Sequence, residues 1–161
     1  MPNYVADFVP WRVSQIVADA LGNIGLHSGY NTQPSATMDY EEFRQSGVDY
    51  SLFVDCPDLR IIENDIGDGT TGATRTTPEI VLTIYGSAKT QGSPGMPMIL
   101  ALVQDVLTAL SALPKGMRTA VGKGMTMRIG DVQTATFDLS GKRESVFTLE
   151  VVFRYLQGST W

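Results

Sequence analysis

The residues best suited to bind a small ligand lie in a run rich in glycine, threonine and aspartate, Asn64 to Thr77. Its glycines, between Gly67 and Gly72, would expose backbone N–H groups to a phosphate, Asp68 could hold magnesium, and a threonine hydroxyl could donate to phosphate oxygen. A phosphate site of this kind needs a helix N-terminus directly after the loop, whereas a strand pattern follows here. We therefore expect a long exposed loop at about residues 64–77.

The string Gly67 to Thr71 resembles the one that cradles phosphate in chaperonin ATPases. It keeps open the alternative that the chain is a small cytoplasmic nucleotide-binding enzyme using the Gly67–Gly72 loop. Against that alternative, the chain lacks the Gly-Lys-Ser/Thr sequence of a P-loop. The run also lacks the alternating Asp/Asn and distal Glu of a calcium loop. We therefore predict no cofactor and no metal.

The other residue types with catalytic potential stand apart from one another. His27 is the only histidine, and the sequence places no nucleophile and orienting acid at a spacing that would complete a catalytic set. Cys56 is the only cysteine and lies between Asp55 and Asp58, whose negative charges disfavour a reactive thiolate. We therefore predict that the protein is not an enzyme.

Composition places the chain among ordinary globular proteins. It has 161 residues, of which 43% are apolar and 18% charged, and this predicts a single domain over residues 1–161. The net charge of −5 argues against a nucleic-acid surface and against binding to an anionic membrane. No apolar run approaches the roughly 20 residues that cross a membrane, and no signal peptide is evident. The expected setting is a reducing cytoplasm, or an assembly built there.

Hydrophobic periodicity predicts the main elements. Alternation from Pro78 to Gly86 predicts a strand, and helical spacing of apolar residues from Met98 to Leu113 predicts a helix that Pro114 and Gly116 would end. Gly130-Asp131 predicts a two-residue hairpin. The other elements are expected at residues 7–25 (a helix), 37–46 (a short helix capped by Thr37) and 48–54, 59–63, 125–129, 132–139 and 145–156 (strands). The order predicts an α+β class, a mostly antiparallel sheet with two helices packed on one face.

Two segments are expected to contact partners, because neither suits a core. The first is the loop at about 64–77, whose glycines make ordering costly unless a neighbour stabilises it. Its candidate contact residues are Asp65, Asp68, Thr70, Thr71 and Arg75. The second is a basic, glycine-rich turn from Lys115 to Gly124, with candidate contact residues Lys115, Arg118 and Lys123.

The element order and three stretches resemble the tail-terminator, or tail-completion, family of long-tailed bacteriophages, of the minor tail protein U type. The stretches are the strand Thr77 to Gly86, the helix end Val106 to Leu110 and the closing strand Phe147 to Tyr155. The resemblance implies a structural virion protein of the phage tail or neck, assembled in the host cytoplasm, that forms a homo-oligomeric ring, expected to be a hexamer. Such a ring caps the tail tube protein and ends tube polymerisation.

The same resemblance implies a ring surface for the head–tail connector protein, a bore through which DNA passes without specific binding, no membrane contact and no catalytic residues. A head–tail connector or stopper protein is the alternative within the virion. A generic α+β interaction domain is the alternative outside it.

Overall fold

The computed structural model describes residues 9–24, 34–46, 49–64, 75–90, 95–121, 125–139 and 142–155. The elements in chain order are α1 (Val9–Gly22), β1 (Ser35–Thr37), α2 (Tyr40–Gln45), β2 (Tyr50–Val54), β3 (Asp58–Asn64), β4 (Arg75–Thr90), α3 (Gly95–Val121), β5 (Met125–Leu139) and β6 (Lys142–Tyr155). The predicted α+β class is confirmed: a mostly antiparallel sheet carries helices packed against it. Within the described segments, no helix has the length and the apolar run that crossing a membrane would require.

The strands form one six-stranded sheet. Five of them follow the order β1-β2-β4-β6-β5, and the sixth, β3, pairs with β4. Strands β2 and β3 lie on the same side of β4, because β2 pairs with residues 84–88 of β4 and β3 with residues 75–81, while β6 fills the other side. All pairs are antiparallel except β1 with β2. One edge of the sheet is therefore β5, and the other is made by β1 and β3.

The core lies between the sheet and the helices α1 and α3, on what we call the helix face. Alternation in the two central strands places aliphatic and aromatic side chains on this face, where they are fully or almost fully buried: Ile80, Leu82, Ile84, Phe147, Leu149, Val151 and Phe153. The predicted apolar stripe of α3 packs onto them through buried Ile99, Leu102, Val106 and Leu110. Gly86 is required beneath Phe147, because a Cβ at that position would overlap the Phe147 ring.

The prediction that Pro114 and Gly116 end the long helix is wrong. Helix α3 continues through both residues to Val121. A proline inside a helix removes one hydrogen bond and a glycine costs about 1 kcal/mol relative to alanine, but neither cost has to stop a helix. The residues around them, such as Met117 and Ala120, are good helix formers, and tertiary packing of the preceding turns holds the helix in place.

Strand β4 is also longer than the alternation predicted. It runs on through Ser87, Ala88 and Lys89 to Thr90 because β6 pairs with it along this whole stretch and β2 pairs with it as far as Ala88. The Lys89 N–H donates to the Asp49 carbonyl at 2.8 Å, which extends the contact beyond the end of β2. The ladder on both sides therefore overrides the small, polar composition that suggested a turn.

The predicted hairpin at Gly130-Asp131 is wrong as well. Strand β5 continues through these residues with a bulge between Ile129 and Val132, because β6 supplies paired residues on both sides of the bulge. A Cβ on Gly130 would lie 3.2 Å from the Glu150 carbonyl oxygen, so a glycine allows the two strands to approach closely there. The end of the β5–β6 pair is reached later, where Leu139 pairs with Lys142.

The first part of the chain agrees with prediction in outline. Helix α1 falls inside the expected range 7–25, and strands β2 and β3 overlap 48–54 and 59–63. The short helix begins at Tyr40 and its cap is Asp39, not Thr37: the Asp39 carboxylate accepts from the backbone N–H groups of Glu41 and Glu42 at 2.8 and 3.1 Å. Thr37 instead belongs to β1, which the sequence analysis missed, and its hydroxyl donates to Glu42 Oε2 at 2.8 Å.

Candidate functional site

The glycine- and threonine-rich run joins two paired strands. Strands β3 and β4 form a hairpin with seven paired positions, from Asp58 opposite Val81 to Asn64 opposite Arg75. Asn64 and residues 75–77 are therefore strand residues and not part of a loop, because their backbones belong to the ladder. Of the predicted contact residues, Arg75 begins β4, whereas Asp65, Asp68, Thr70 and Thr71 lie outside the described residues.

The β3–β4 hairpin projects beyond the rest of the sheet. The first residue of β4 that pairs with β6 is Glu79, so, among the described strands, residues 75–78 pair only with β3. At this end β6 finishes at Tyr155, which pairs with Met125 at the start of β5. With a rise of roughly 3.3 Å per residue, the hairpin arms extend about 10 Å past the ends of β5 and β6. The last described pair of the hairpin, Asn64 opposite Arg75, thus lies beyond the described ends of β5 and β6.

The predicted basic turn lies at the same end of the sheet. Lys115 and Arg118 stand in the last turns of α3 and not in a turn, because the helix continues to Val121; Lys123 lies outside the described residues. Only residues 122–124 separate α3 from Met125, the first residue of β5 at the end of the sheet where the β3–β4 hairpin projects. The described parts of the two predicted contact segments, the end of the β3–β4 hairpin and the last turns of α3, therefore lie at the same end of the sheet.

A row of charged residues crosses the opposite side of the sheet, which we call the outer face. Strand register aligns Arg60 of β3, Glu79 of β4, Arg154 of β6 and Thr126 of β5. Glu79 is only 1% exposed, and Arg154 Nε donates to its Oε1 at 2.8 Å. Arg60 reaches its Oε2 at 3.8 Å. The buried carboxylate is thus balanced by two guanidinium groups, as a charge removed from water must be.

The two arginines leave this part of the outer face with excess positive charge. The side chains of Arg60 and Arg154 are 54% and 52% exposed, so each presents unused N–H donors to solvent. Beside them lies a shallow cavity of about 240 Å³, lined by Glu79, Thr126, Met127, Arg128, Val152 and Arg154. Exposed guanidinium groups next to a recess suit a carboxylate on a partner molecule.

Sequence reasoning missed this charged row. Alternation places Glu79 and Arg154 on the faces of β4 and β6 that do not hold the core, which was a usable signal. What the sequence lacks is the register that makes two residues far apart in the chain neighbours. Arg60 was harder still to find, because its place in the row depends on a further strand pairing, that of β3 with the first half of β4.

An aromatic cluster covers another part of the outer face. The ring of Phe53 in β2 lies against Phe43 and Tyr40 of α2 and against Tyr85 of β4, with ring centroids 5.6, 5.7 and 5.9 Å apart. Ring pairs at such distances add about 0.5–1.5 kcal/mol beyond the area that they bury. The short helix α2 is therefore fixed on the outer face by its aromatic side chains, while α1 and α3 cover the helix face.

Of the two residues considered for catalysis, the structure describes only Cys56. Cys56 is exposed, and its backbone N–H donates to its neighbour Asp55. His27 lies outside the described residues. Within the described ranges, no group of three His, Cys, Asp or Glu residues could hold a metal ion. Burial raises the pKa of Tyr50, and the charge of Asp49 raises it further, but this tyrosine belongs to the core.

Comparison with known proteins adds no relative: no family model matches the chain, and no curated protein sequence does. The surfaces available for a functional argument are therefore those of the fold itself. They are the projecting hairpin, the charged row of the outer face and the two open edges of the sheet.

Proposed function

We propose that the protein is a structural subunit of a phage virion, of the tail-terminator type. Copies of it assemble into a ring that caps the tail tube, ends tube polymerisation and offers a surface to the head–tail connector. The observation that carries the proposal is the position of the β3–β4 hairpin, which projects past the sheet at the end where α3 leads into β5. It supports the proposal together with the resemblance in element order.

The two edges of the sheet support assembly into a ring. A ring needs two different surfaces on each subunit, so that each copy binds the next in head-to-tail fashion and the chain of contacts closes. Here one edge is the long strand β5, and the opposite edge is made by β1 and β3. The two edges differ in length, in neighbouring helices and in charge, as a head-to-tail contact requires.

The projecting hairpin suits the contact that stops a tube from growing. A tube subunit at a growing end exposes a surface to which the next subunit would add, and the terminator must occupy that surface. An extended two-stranded arm can pair with an open strand edge of another protein through backbone hydrogen bonds. The glycine- and threonine-rich connection between Asn64 and Arg75 would then gain order on contact, as the sequence predicted.

The charge of the subunit fits a conduit for DNA. Each copy carries a net charge of −5, and a ring repeats that charge around its bore. A field of one sign repels the phosphate backbone and discourages binding during passage. The same charge would suit a connector or stopper ring, so the test must separate capping of the tube from ring formation alone.

The nucleotide-binding alternative has less support from the fold. The glycine-rich run is followed by strand β4, which begins at Arg75. A phosphate site built on a glycine-rich loop takes much of its strength from the N–H groups and the dipole of a following helix. The residues after this run belong instead to a paired strand.

The test removes the tip of the hairpin without disturbing its arms. Residues 66–73 are replaced by a short Gly-Ser linker, which keeps Asn64 opposite Arg75. Because the pair that flanks the replaced residues, Asn64 and Arg75, already lies beyond the described ends of β5 and β6, the melting temperature is expected to stay nearly unchanged. Mixed with tail tube subunits under the electron microscope, the variant is expected to leave tubes uncapped, with a broad distribution of lengths, whereas the wild type gives capped tubes of one length.

A matched control places the same linker between Leu139 and Lys142, at the opposite end of the sheet. That variant is expected to cap tubes normally. If the variant without the hairpin tip also ends tubes at the normal length, the hairpin is a passive insertion and the proposed role fails. Tubes that remain uncapped by the wild-type protein, in spite of normal rings, would favour the connector alternative.

A further inference from the structure

In the part of the chain that the structure describes, strand β5 has an open edge along its whole length. It contains 15 residues and, among the described strands, pairs only with β6. The backbone groups that point away from β6 therefore have no partner in the sheet. A long open edge is a template for pairing with a further strand, and proteins cover such edges or block them with charge, proline or bulges. Here a single bulge at Ile129/Val132 interrupts the edge, and proline is absent from the strand.

Strand β3 supplies an open edge on the other side of the sheet. It contains seven residues and, within the described part of the chain, pairs only with β4. Its first three residues, Asp58, Leu59 and Arg60, are all exposed. Leu59 leaves 46% of its surface in solvent, which is a large exposed apolar surface for a strand residue. This edge therefore has both free backbone groups and an apolar side chain to bury.

The directions of the strands make the two edges compatible. Strand β5 is antiparallel to β6 and β6 is antiparallel to β4, so β5 runs in the same direction as β4. Strand β3 is antiparallel to β4 and hence opposite in direction to β5. When copies related by a ring axis keep the same end of the sheet uppermost, β3 of one copy meets β5 of the next as an antiparallel pair. Antiparallel pairing is the commoner and slightly more stable arrangement.

Charge is complementary at the matching level of the two edges. Register aligns Asp58 of β3, Val81 of β4, Val152 of β6 and Arg128 of β5 in one row across the outer face. Asp58 and Arg128 thus stand at opposite ends of the same row, and both are exposed. Within the described residues, neither has an ion-pair partner in its own chain. Continuing the row into a neighbouring copy places the aspartate of one copy beside the arginine of the other.

We propose that the start of the β5 edge of one copy, Met125 to Arg128, pairs with Asp58 to Ile61 of β3 in a second copy, with Asp58 of one copy opposite Arg128 of the next. The contact is confined to this level, because β1 occupies the position beside β2 further along the edge. This pairing rests on the proposed function, because it presupposes that copies associate head to tail. It names the contact that joins neighbours and leaves the hairpin tip available for the tube. A two-fold pairing of β5 with β5 is the competing arrangement, which would close a dimer and leave β3 open.

Charge reversal tests the pairing. Asp58→Arg or Arg128→Asp alone puts like charges opposite each other, and each is expected to weaken association by about tenfold per interface, measured by analytical ultracentrifugation. The double variant D58R/R128D restores opposite charges and is expected to regain association close to that of the wild type. Reversal at Glu150, an exposed charge on the central strand β6, is the control and is expected to change association little.

Cysteine cross-linking identifies the partner strands. In a Cys56→Ser background, oxidation of D58C/R128C is expected to give a ladder of linked chains up to the size of the ring. Either single cysteine variant is expected to stay unlinked, because its counterpart in the neighbour is missing. Linked dimers from Arg128→Cys alone would overturn the proposal in favour of the two-fold contact.

Two further outcomes separate this inference from the proposed function. If rings of either charge-reversal variant are as stable as those of the wild type, and the cysteine variant gives no ladder, the β5–β3 contact is overturned while the role in tail termination stands. A ladder from rings that leave tail tubes uncapped would uphold the contact and reject the proposed function. Melting temperatures equal to that of the wild type establish that the single variants are folded.

Discussion

The two faces of the sheet are built from the same strands but are covered in different ways. On the helix face, side chains such as Leu82 and Val151 are completely buried beneath two helices. The outer face is made by the alternate residues of the strands. It holds the buried carboxylate of Glu79 with its arginine partner, an aromatic cluster at Phe53 and an exposed area that includes Phe137. Alternation along a strand has thus separated a uniform apolar surface from a mixed one.

This difference assigns distinct physical roles to the two faces. The helix face buries apolar area continuously, which is the main source of folding free energy. The outer face has separate clusters, each held by directional contacts between a few side chains. Its exposed arginines and open edges remain available to partners. Stability is therefore expected to depend most on the helix face, and association on the outer face and the edges.

The largest effect is expected from Phe153→Ala on the helix face. Phe153 is 1% exposed in the centre of the core, and the substitution is expected to lower the free energy of unfolding by about 3–5 kcal/mol. The measurement is urea denaturation followed by circular dichroism. Phe137→Ala is the matched control, because this ring is 51% exposed on the outer face, and it is expected to change stability little. Equal losses in the two variants would abolish the contrast between the faces.

An intermediate effect is expected from Glu79→Gln on the outer face. The substitution leaves Arg60 and Arg154 without a balancing carboxylate and is expected to cost about 1–3 kcal/mol, less than a core cavity because both guanidinium groups are half-exposed. Urea denaturation at low and high salt measures it. Glu150→Gln is the control, since that carboxylate is exposed on β6. A gain in stability would mean that the buried charge is a net cost to the fold.

The smallest effect is expected from Asp39→Ala, which removes the cap of α2. Loss of an N-cap costs about 1 kcal/mol, and because α2 contains only six residues the change should be local. Hydrogen exchange is expected to accelerate at the backbone amides of Glu41 and Glu42, which donate to the Asp39 carboxylate. Asp19→Ala, at an exposed position of α1, is the control. Slow exchange retained at both amides would show that the aromatic cluster alone fixes α2.

Periodicity predicted the parts of the fold that depend on burial. The alternation in β4 and β6 and the helical stripe of α3 follow directly from the need to bury one face. Boundaries were predicted less well, because they depend on partners that a single stretch does not contain. Pro114 was expected to end α3 and Gly130 to end a strand, yet the helix and the β5–β6 ladder continue through them.

The candidate surfaces required information that the sequence does not hold locally. Strand β1 has three residues, too few for a periodic signal, and it forms only because β2 lies beside it. The charged row likewise depends on the register of four strands. The two segments predicted to contact partners were chosen by composition alone. That their described ends lie at the same end of the sheet became evident only from the strand pairing.

The central position of the β4–β6 pair has a consequence for the order in which the protein folds. Glu79 and Arg154 are separated by 75 positions in the chain, whereas β3–β4 and β5–β6 are hairpins. Local hairpins form in about 1–10 μs, but a pair so distant must first close a long loop. During synthesis at roughly 5–20 residues per second, β4 waits several seconds for β6 to be made. Until then the side of β4 that pairs with β6 stays open, so the proposed contact between copies would have to follow closure of the centre of the sheet.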